Sequence, residues 1–276
     1  MLKHYFKVAV FGIVLGMCIT NVRAQSDSIR KDQYGLIVNR IPMVSESRNG
    51  VLVFESKDQS IKTWFDLRVN FDGAHYFDKN ALNELGSGAT IRRLRFAMKT
   101  ILYKTWTGEV DLDFAGGVLE VKDAFIGFKP GDKFYVKAGY FKEPISMETT
   151  TTSRYQTFIE EPYMTMFAPQ RQIGINVSNW NKFYLAALGI HFNDVENMEV
   201  VTYSQNANKD FGTDEGYSFT GKLALRPIHT DKFLVHIAGS GSYRTPKTSS
   251  EFANAVRFST RDMTNINRKK FLDSDD

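Results

Sequence analysis

The chain has 276 residues, 42% of them hydrophobic, enough apolar content for a core and too much for a disordered chain. Its 35 basic and 31 acidic residues give a formal charge of +4, so any preference for anions must come from where the charges sit rather than from how many there are. The one cysteine, Cys18, rules out an intramolecular disulfide and a multi-cysteine metal site.

In chain order, the first element is a predicted secretory signal over residues 1–24. Lys3 and Lys7 precede the apolar run Val8 to Ile19, and Val22-Arg23-Ala24 places small residues where a signal peptidase reads them. The run is shorter than the about 20 residues of a spanning helix, and no later stretch reaches about 18 uninterrupted apolar residues. Cys18 lies inside this signal behind Met17, a poor context for lipidation, so the mature chain has no thiol. Taking Lys3, Lys7 and Arg23 from the 35 basic residues leaves 32 against 31 acidic. Residues 25–60 read as a polar, periplasmic N-terminal lead-in, with a short strand at Val51–Glu55 turned back at Lys57-Asp58-Gln59.

From Ile61 the pattern becomes alternating segment, turn, alternating segment, and residues 61–276 form one partial barrel domain. The stretch FDLRVNFD sets Phe65, Leu67, Val69 and Phe71 on one side of an extended chain and Asp66, Arg68, Asn70 and Asp72 on the other. Period two recurs over Ile61–Phe77, Ile91–Lys104, Gly108–Ala115, Leu119–Phe128, Lys133–Lys142, Gln172–Ser178, Lys182–Phe192, Gly216–Arg226, Lys232–Arg244 and Ala255–Arg261. Most have the reach of about 9–11 residues that a tilted strand needs to cross a bilayer. Tight connections at Thr105–Thr107, Pro130–Asp132, Asn179–Asn181 and Pro227–Asp231 alternate with long ones at Asp78–Thr90, Glu143–Arg171, Asn193–Glu215 and Pro246–Asn254. Gly116-Gly117-Val118 alone is short on the long-loop side, as a plain hairpin.

A secreted β-sandwich also alternates, and it stands as the alternative. Two observations favour an all-β, antiparallel transmembrane barrel of about ten strands: Arg93, Arg95 and Lys99 share one face opposite Leu94, Phe96, Met98 and Leu102, and the long loops keep to alternate junctions. In that reading FDLRVNFD divides hydrocarbon from a watery lumen. Phe77, Tyr103, Phe128, Tyr140 and Tyr243 then suit interfacial girdles.

The stretches IRRLRFAMK (Ile91–Lys99), YKTWTGEVDLDFAGGVLEVKDAFIGF (Tyr103–Phe128), KAGYFKEPISMETTTTSRYQTFIEEP (Lys137–Pro162) and FAPQRQIGINV (Phe167–Val177) together resemble the phosphate-selective porins O and P, in order from about Ile61 to Asp273. The resemblance implies a sixteen-stranded outer-membrane barrel, a homotrimer in outer-membrane lipid, a third outer loop folded inward, and arginines along an anion route. Family members continue past RKKFLDSDD through further strands, so the chain is expected to be a shortened form, and about ten strands leave unpaired backbone edges.

The candidate anion path comprises Arg68, Arg93, Arg95, Lys99 and Lys137 on lumenal faces. Arg154 and Arg171 join it because the resemblance makes Glu143–Arg171 the constriction loop. Two arrangements are open: a ladder of free cations, or a transverse field in which they pair with Asp66, Asp72, Asp111 and Asp113 on adjacent strands. Within the loop, Ser153–Glu161 suggests a short helix that packs Tyr155, Phe158 and Ile159 together, and the alternative is an outer loop that packs on a neighbouring subunit.

Asp111-Leu-Asp113-Phe-Ala-Gly116 begins like a calcium loop, but Lys122 stands where a bidentate Glu belongs. His75, His191, His229 and His236 lack metal-ligand spacing, and His229 falls in a predicted turn. No G-x-S-x-G, phosphate-cradling glycine loop or basic stripe with stacking aromatics is present, which points away from hydrolase, nucleotide and nucleic-acid functions. The expectation is a non-enzymatic porin, without cofactor or metal, that passes small anions such as phosphate or polyphosphate by passive diffusion across a Gram-negative outer membrane. The alternative is a non-conducting surface or binding protein on a porin scaffold, or an inactive shortened porin.

Overall fold

The computed structural model describes residues 31–38, 41–77, 85–117, 119–192, 216–245, 258–266 and 270–274. The expected signal, and the loop segments 78–84, 193–215 and 246–257, lie outside the described residues. The chain divides into two compact units, Met1–Pro42 and Met43–Asp276. In the first, a turn at Asp32–Leu36 closes a single bridge between Lys31 and Ile37, with the Asp32 carboxylate accepting the N–H groups of Tyr34 at 2.8 Å and Leu36 at 2.9 Å.

The second unit is an antiparallel sheet of eleven strands, each paired with its neighbours in sequence. They are β1 (Met43–Arg48), β2 (Val51–Ser56), β3 (Ile61–Ala74), β4 (Gly88–Leu102), β5 (Trp106–Asp113), β6 (Glu120–Gly131), β7 (Phe134–Lys142), β8 (Arg171–Trp180), β9 (Tyr184–Phe192), β10 (Tyr217–His229) and β11 (Leu234–Arg244). β1 and β11 are the two edges of the sheet. It begins inside the stretch read as a lead-in, because Met43–Arg48 makes a two-residue hairpin with Val51–Ser56 through Asn49-Gly50, both at positive φ. Among the described residues, Ser259–Arg261 is not a wall strand: as β12 it pairs with β13 (Lys270–Asp273) in a separate two-stranded sheet. The turns also shift by a residue or two, to Tyr103–Thr105, Asp132-Lys133 and Asn181–Phe183.

The partition of residues is the reverse of that in a soluble protein. Leu67 and Phe71 are 64% and 75% exposed, and Phe96, Met98, Val110, Ile175, Val177, Leu188, Phe219 and Leu223 are exposed with them. Opposite-face Asp72, Asp111, Asp113, Asn176, His191, Ser218 and Thr220 are buried. A sandwich would bury the Leu and Phe row beneath a second sheet; here that row is the exposed surface, as a wall against hydrocarbon requires. Cross-strand pairs such as Leu67 with Phe96 and Val69 with Leu94 keep the apolar face continuous. Phe77, Tyr103 and Tyr243 are exposed, as girdle residues should be, whereas Tyr140 is buried.

One irregularity redirects a charge. Asn70 pairs with Arg93 but Phe71 pairs with Ile91, so Arg92 is the extra residue of a β-bulge. Strict alternation would aim Arg92 into lipid, at about 2–4 kcal/mol near the bilayer midplane. The bulge instead lets it share the polar side with Arg93, and it is among the most buried polar residues.

Candidate functional site

The functional geometry gathers where the polar face of β3–β7 meets the long segment Glu143–Gln170. That segment lies against the strands and is bonded to them along its length. Ser153 Oγ accepts a hydrogen bond from Arg68 Nη1 at 2.6 Å, and Arg154 pairs with Asp66. The Glu160 carboxylate takes both Arg92 and Arg93, the latter at 2.9 Å, and Glu161 takes Lys142 at 3.0 Å. At its root Glu143 is fully buried and accepts hydrogen bonds from Ser218 at 3.0 Å and from Thr220. The short helix expected over Ser153–Glu161 does not form. The segment is a run of turns and bends whose side chains Ser153, Arg154 and Glu160 are bonded to β3 and β4, and Tyr155, Phe158 and Ile159 are each exposed rather than packed together. The loop instead makes hydrogen-bonded turns at Met147–Thr151 and Thr152–Tyr155 and a 3₁₀ turn at Tyr163–Phe167, after Pro162.

Between loop and strands is a cavity of about 410 Å³. It brings together six of the seven sequence-predicted residues: Arg68, Arg93, Arg95, Lys99, Lys137 and Arg171. Arg154 is not among its lining; it reaches Asp66 instead. With Lys142 added, seven basic side chains face five acidic ones, Glu109, Asp111, Asp123, Glu160 and Glu161. Most of these charges are engaged. Arg95 meets Asp113 at 2.8 Å, Lys99 meets Glu109 at 2.8 Å, and Arg171 meets Asp123 at 3.0 Å. The transverse arrangement therefore describes most of the wall.

Two cations differ. Arg68 sits directly opposite Arg95 in the ladder, a like-charge pairing, and makes no ion pair among the described residues; its buried Nε has no hydrogen-bond partner. Lys137 Nζ rests over the rings of Phe125 at 4.4 Å and Phe141 at 4.6 Å, with no carboxylate in contact among the described residues. Arg171 Nε and Asp111 Oδ1 are likewise buried without partners. Three orphaned polar atoms around one cavity, two donors and an acceptor, are what a small polar ligand would satisfy.

Sequence reasoning missed Arg92, Lys142, Asp123 and Glu160. The signal for Arg92 was the Arg92-Arg93 doublet, because two adjacent charges in one transmembrane strand require a bulge. Glu160 lay in a segment without periodicity, so nothing local marked its partners.

A metal does not fit well. The carboxylates of Glu109, Asp111 and Asp123 come within 4.8 Å of one another, but Glu109 and Asp123 are already neutralised by Lys99 and Arg171. Asp111 and Asp113, whose sequence already excludes a calcium loop, both point to the polar face, where Asp113 binds Arg95 and the N–H groups of Leu94 and Ala115. His229 is exposed at the end of β10, 3.3 Å from the Lys182 carbonyl.

Comparison with known families gives one finding of weight: the model of the family described as phosphate-selective porin O and P matches residues 65–274. A search of curated proteins returns no match. The matched span runs from within β3 through β13 and includes every residue of the cavity.

Proposed function

Because the chain belongs to the phosphate-selective porin O and P family, a family of outer-membrane channels rather than enzymes, we propose that it passes small oxyanions such as phosphate passively, and that Arg68 and Lys137 set the preference. The observation that carries this reading is a pair of cations beside one cavity that make no direct ion pair among the described residues, Arg68 with an unpartnered Nε and Lys137 over two aromatic rings. Paired charges contribute little net field, so selectivity rests on the cations left over. An anion entering the cavity loses hydration, and the free Arg68 Nε–H and the Lys137 ammonium replace part of it. Asp111 adds a discriminator. Its unpartnered Oδ1 accepts a hydrogen bond from an oxyanion that carries a proton, and chloride offers none.

The loop 143–170 narrows the route. Its anchors on Arg68, Arg92 and Arg93 hold Ser153 and Glu160 over the same cavity. The constriction reading is favoured over packing on a neighbouring subunit because these bonds run to the polar face of its own sheet.

The test is the zero-current potential of the protein in a planar bilayer under a potassium phosphate gradient. A potential of the sign set by the anion is expected. Absence of conductance steps, or a potential of the opposite sign, would refute the proposal and favour a non-conducting role.

A further inference from the structure

Five turns join strands on the same rim of the sheet: β2–β3, β4–β5, β6–β7, β8–β9 and β10–β11. Each carries an exposed lysine: Lys57, Lys104, Lys133, Lys182 and Lys232 in turn. In four of them an exposed aromatic residue is the immediate neighbour, as Tyr103-Lys104, Lys133-Phe134, Lys182-Phe183 and Lys232-Phe233. Three share one wording, an Asp or Asn followed by Lys-Phe, at 132–134, 181–183 and 231–233. None of the five lysines makes an ion pair among the described residues. The one carboxylate in the first turn, Asp58, is taken up by the hydroxyls of Ser56 and Ser60.

The segments that connect strands on the other rim have the opposite charge. Residues 75–87, 143–170 and 193–216 hold three basic and twelve acidic residues by sequence. Without Glu143, Glu160, Glu161 and Arg154, which are bonded to the polar face of the sheet, nine acidic and two basic residues remain, so the asymmetry is a property of the rim, and a general excess of lysine does not explain it. Tight turns of an outer-membrane barrel face the periplasm, where the flanking leaflet is phospholipid. An aromatic ring at that depth sits in the headgroup layer with its neighbouring lysine reaching the phosphates.

We propose that the tight-turn rim is a docking surface for anionic phospholipid headgroups, with Lys133, Lys182 and Lys232 as the phosphate contacts and Phe134, Phe183 and Phe233 as the anchors beside them. Charge complementarity commits the surface to lipid: the lysines recur at the spacing of every second strand connection, around the perimeter where headgroups lie, and the aromatics beside them match an interface rather than water. The proposal needs the barrel orientation but not the anion selectivity, so the two fail separately.

The experiment is electron spin resonance of the full-length protein in bilayers doped with spin-labelled lipid, comparing phosphatidylglycerol with phosphatidylcholine. The wild type is expected to enrich phosphatidylglycerol by about threefold or more at low salt, falling toward unity at high salt. The triple substitution Lys133→Gln, Lys182→Gln, Lys232→Gln is expected to abolish the enrichment, and the triple Lys→Arg version to retain it. Where the triple variant does not insert, Lys182→Gln and Lys232→Gln singly are each expected to reduce it. Equal association of both lipids with the wild type overturns the proposal, and is the result an acidic protein partner at this rim would give; so does enrichment that survives the glutamine substitutions.

Discussion

The polar face of β3–β7 and the polar face of β8–β11 solve the same problem differently. The first carries Arg68, Arg92, Arg93, Arg95, Lys99 and Lys137 against Asp72, Glu109, Asp111, Asp113 and Asp123. The second is mostly uncharged: Asn176, Ser178, Ser218, Thr220 and Ser242, with Lys222 and Arg244 tied to the loop or its root. The first half creates a field and also anchors the middle of the loop through Arg68, Arg92 and Arg93, whereas the second fixes the loop's root, since Ser218 and Thr220 hold Glu143 in place. The root of the loop can therefore be loosened without changing the charge of the cavity, whereas substitutions in the charged half act on both.

The largest expected effect is on the charged half. Arg92 and Asp72 have side chains only 4% and 6% exposed and meet at 2.6 Å, with Arg92 also holding Glu160 and the Met263 carbonyl. Asp72→Ala strips the more buried of that guanidinium's two carboxylates, leaving Glu160, and should destabilise the protein by about 3 kcal/mol, the lower end for a broken buried pair, in urea unfolding from detergent. Next in size is the root of the loop. His191 packs where a Cβ on Gly189 or Gly174 would overlap its ring, so Gly189→Ala should cost about 1–3 kcal/mol by the same measurement, with ion preference unchanged in the molecules that remain folded.

Glu160→Gln is a sharper probe of the division. It releases Arg92 and Arg93 from the loop, so single-channel conductance should rise and anion preference increase, while Ser218→Ala should move the loop without changing the charge of the cavity. Proteolytic sensitivity of the segment 143–170 reports the loop, and the zero-current potential reports the charge.

The smallest effect lies outside both halves. The Ser56 hydroxyl, then the Ser60 hydroxyl and N–H, hold the Asp58 carboxyl down to about 2. A depressed carboxylate contributes stability above its unfolded value of 3.8 and loses it as pH falls through about 2. Protection of the Ser60 amide from exchange should be flat from neutral pH to that window, and Asp58→Asn should remove the pH dependence.

Much of this was legible in the residues, for a physical reason. Period-two alternation between two solvents is local, so nine wall strands and the sidedness of Arg68, Arg93, Arg95, Lys99 and Lys137 could be read directly. What escaped depended on partners distant in sequence. The Arg92 bulge breaks the period, Glu160 finds its arginines 67 and 68 residues away, and Asp123 finds Arg171 48 residues away. β1 was hidden because both of its faces are exposed, leaving no alternation to read. Ser259–Arg261 alternates like a wall strand, yet its neighbours tie it elsewhere: Asn265 N–H donates to Asp72 at 3.2 Å and Phe258 meets Phe167 at 5.2 Å.

The most direct test contrasts cations that have partners with cations that do not. In planar bilayers, Arg68→Gln with Lys137→Gln should lower the anion-to-potassium permeability ratio by roughly tenfold, the scale on which fixed charge concentrates ions in a cleft. Arg95→Gln with Asp113→Asn, which removes a matched pair, should leave the ratio near the wild-type value. An unchanged ratio in the first variant, or an equal loss in both, would contradict the assignment of selectivity to the unpaired side chains.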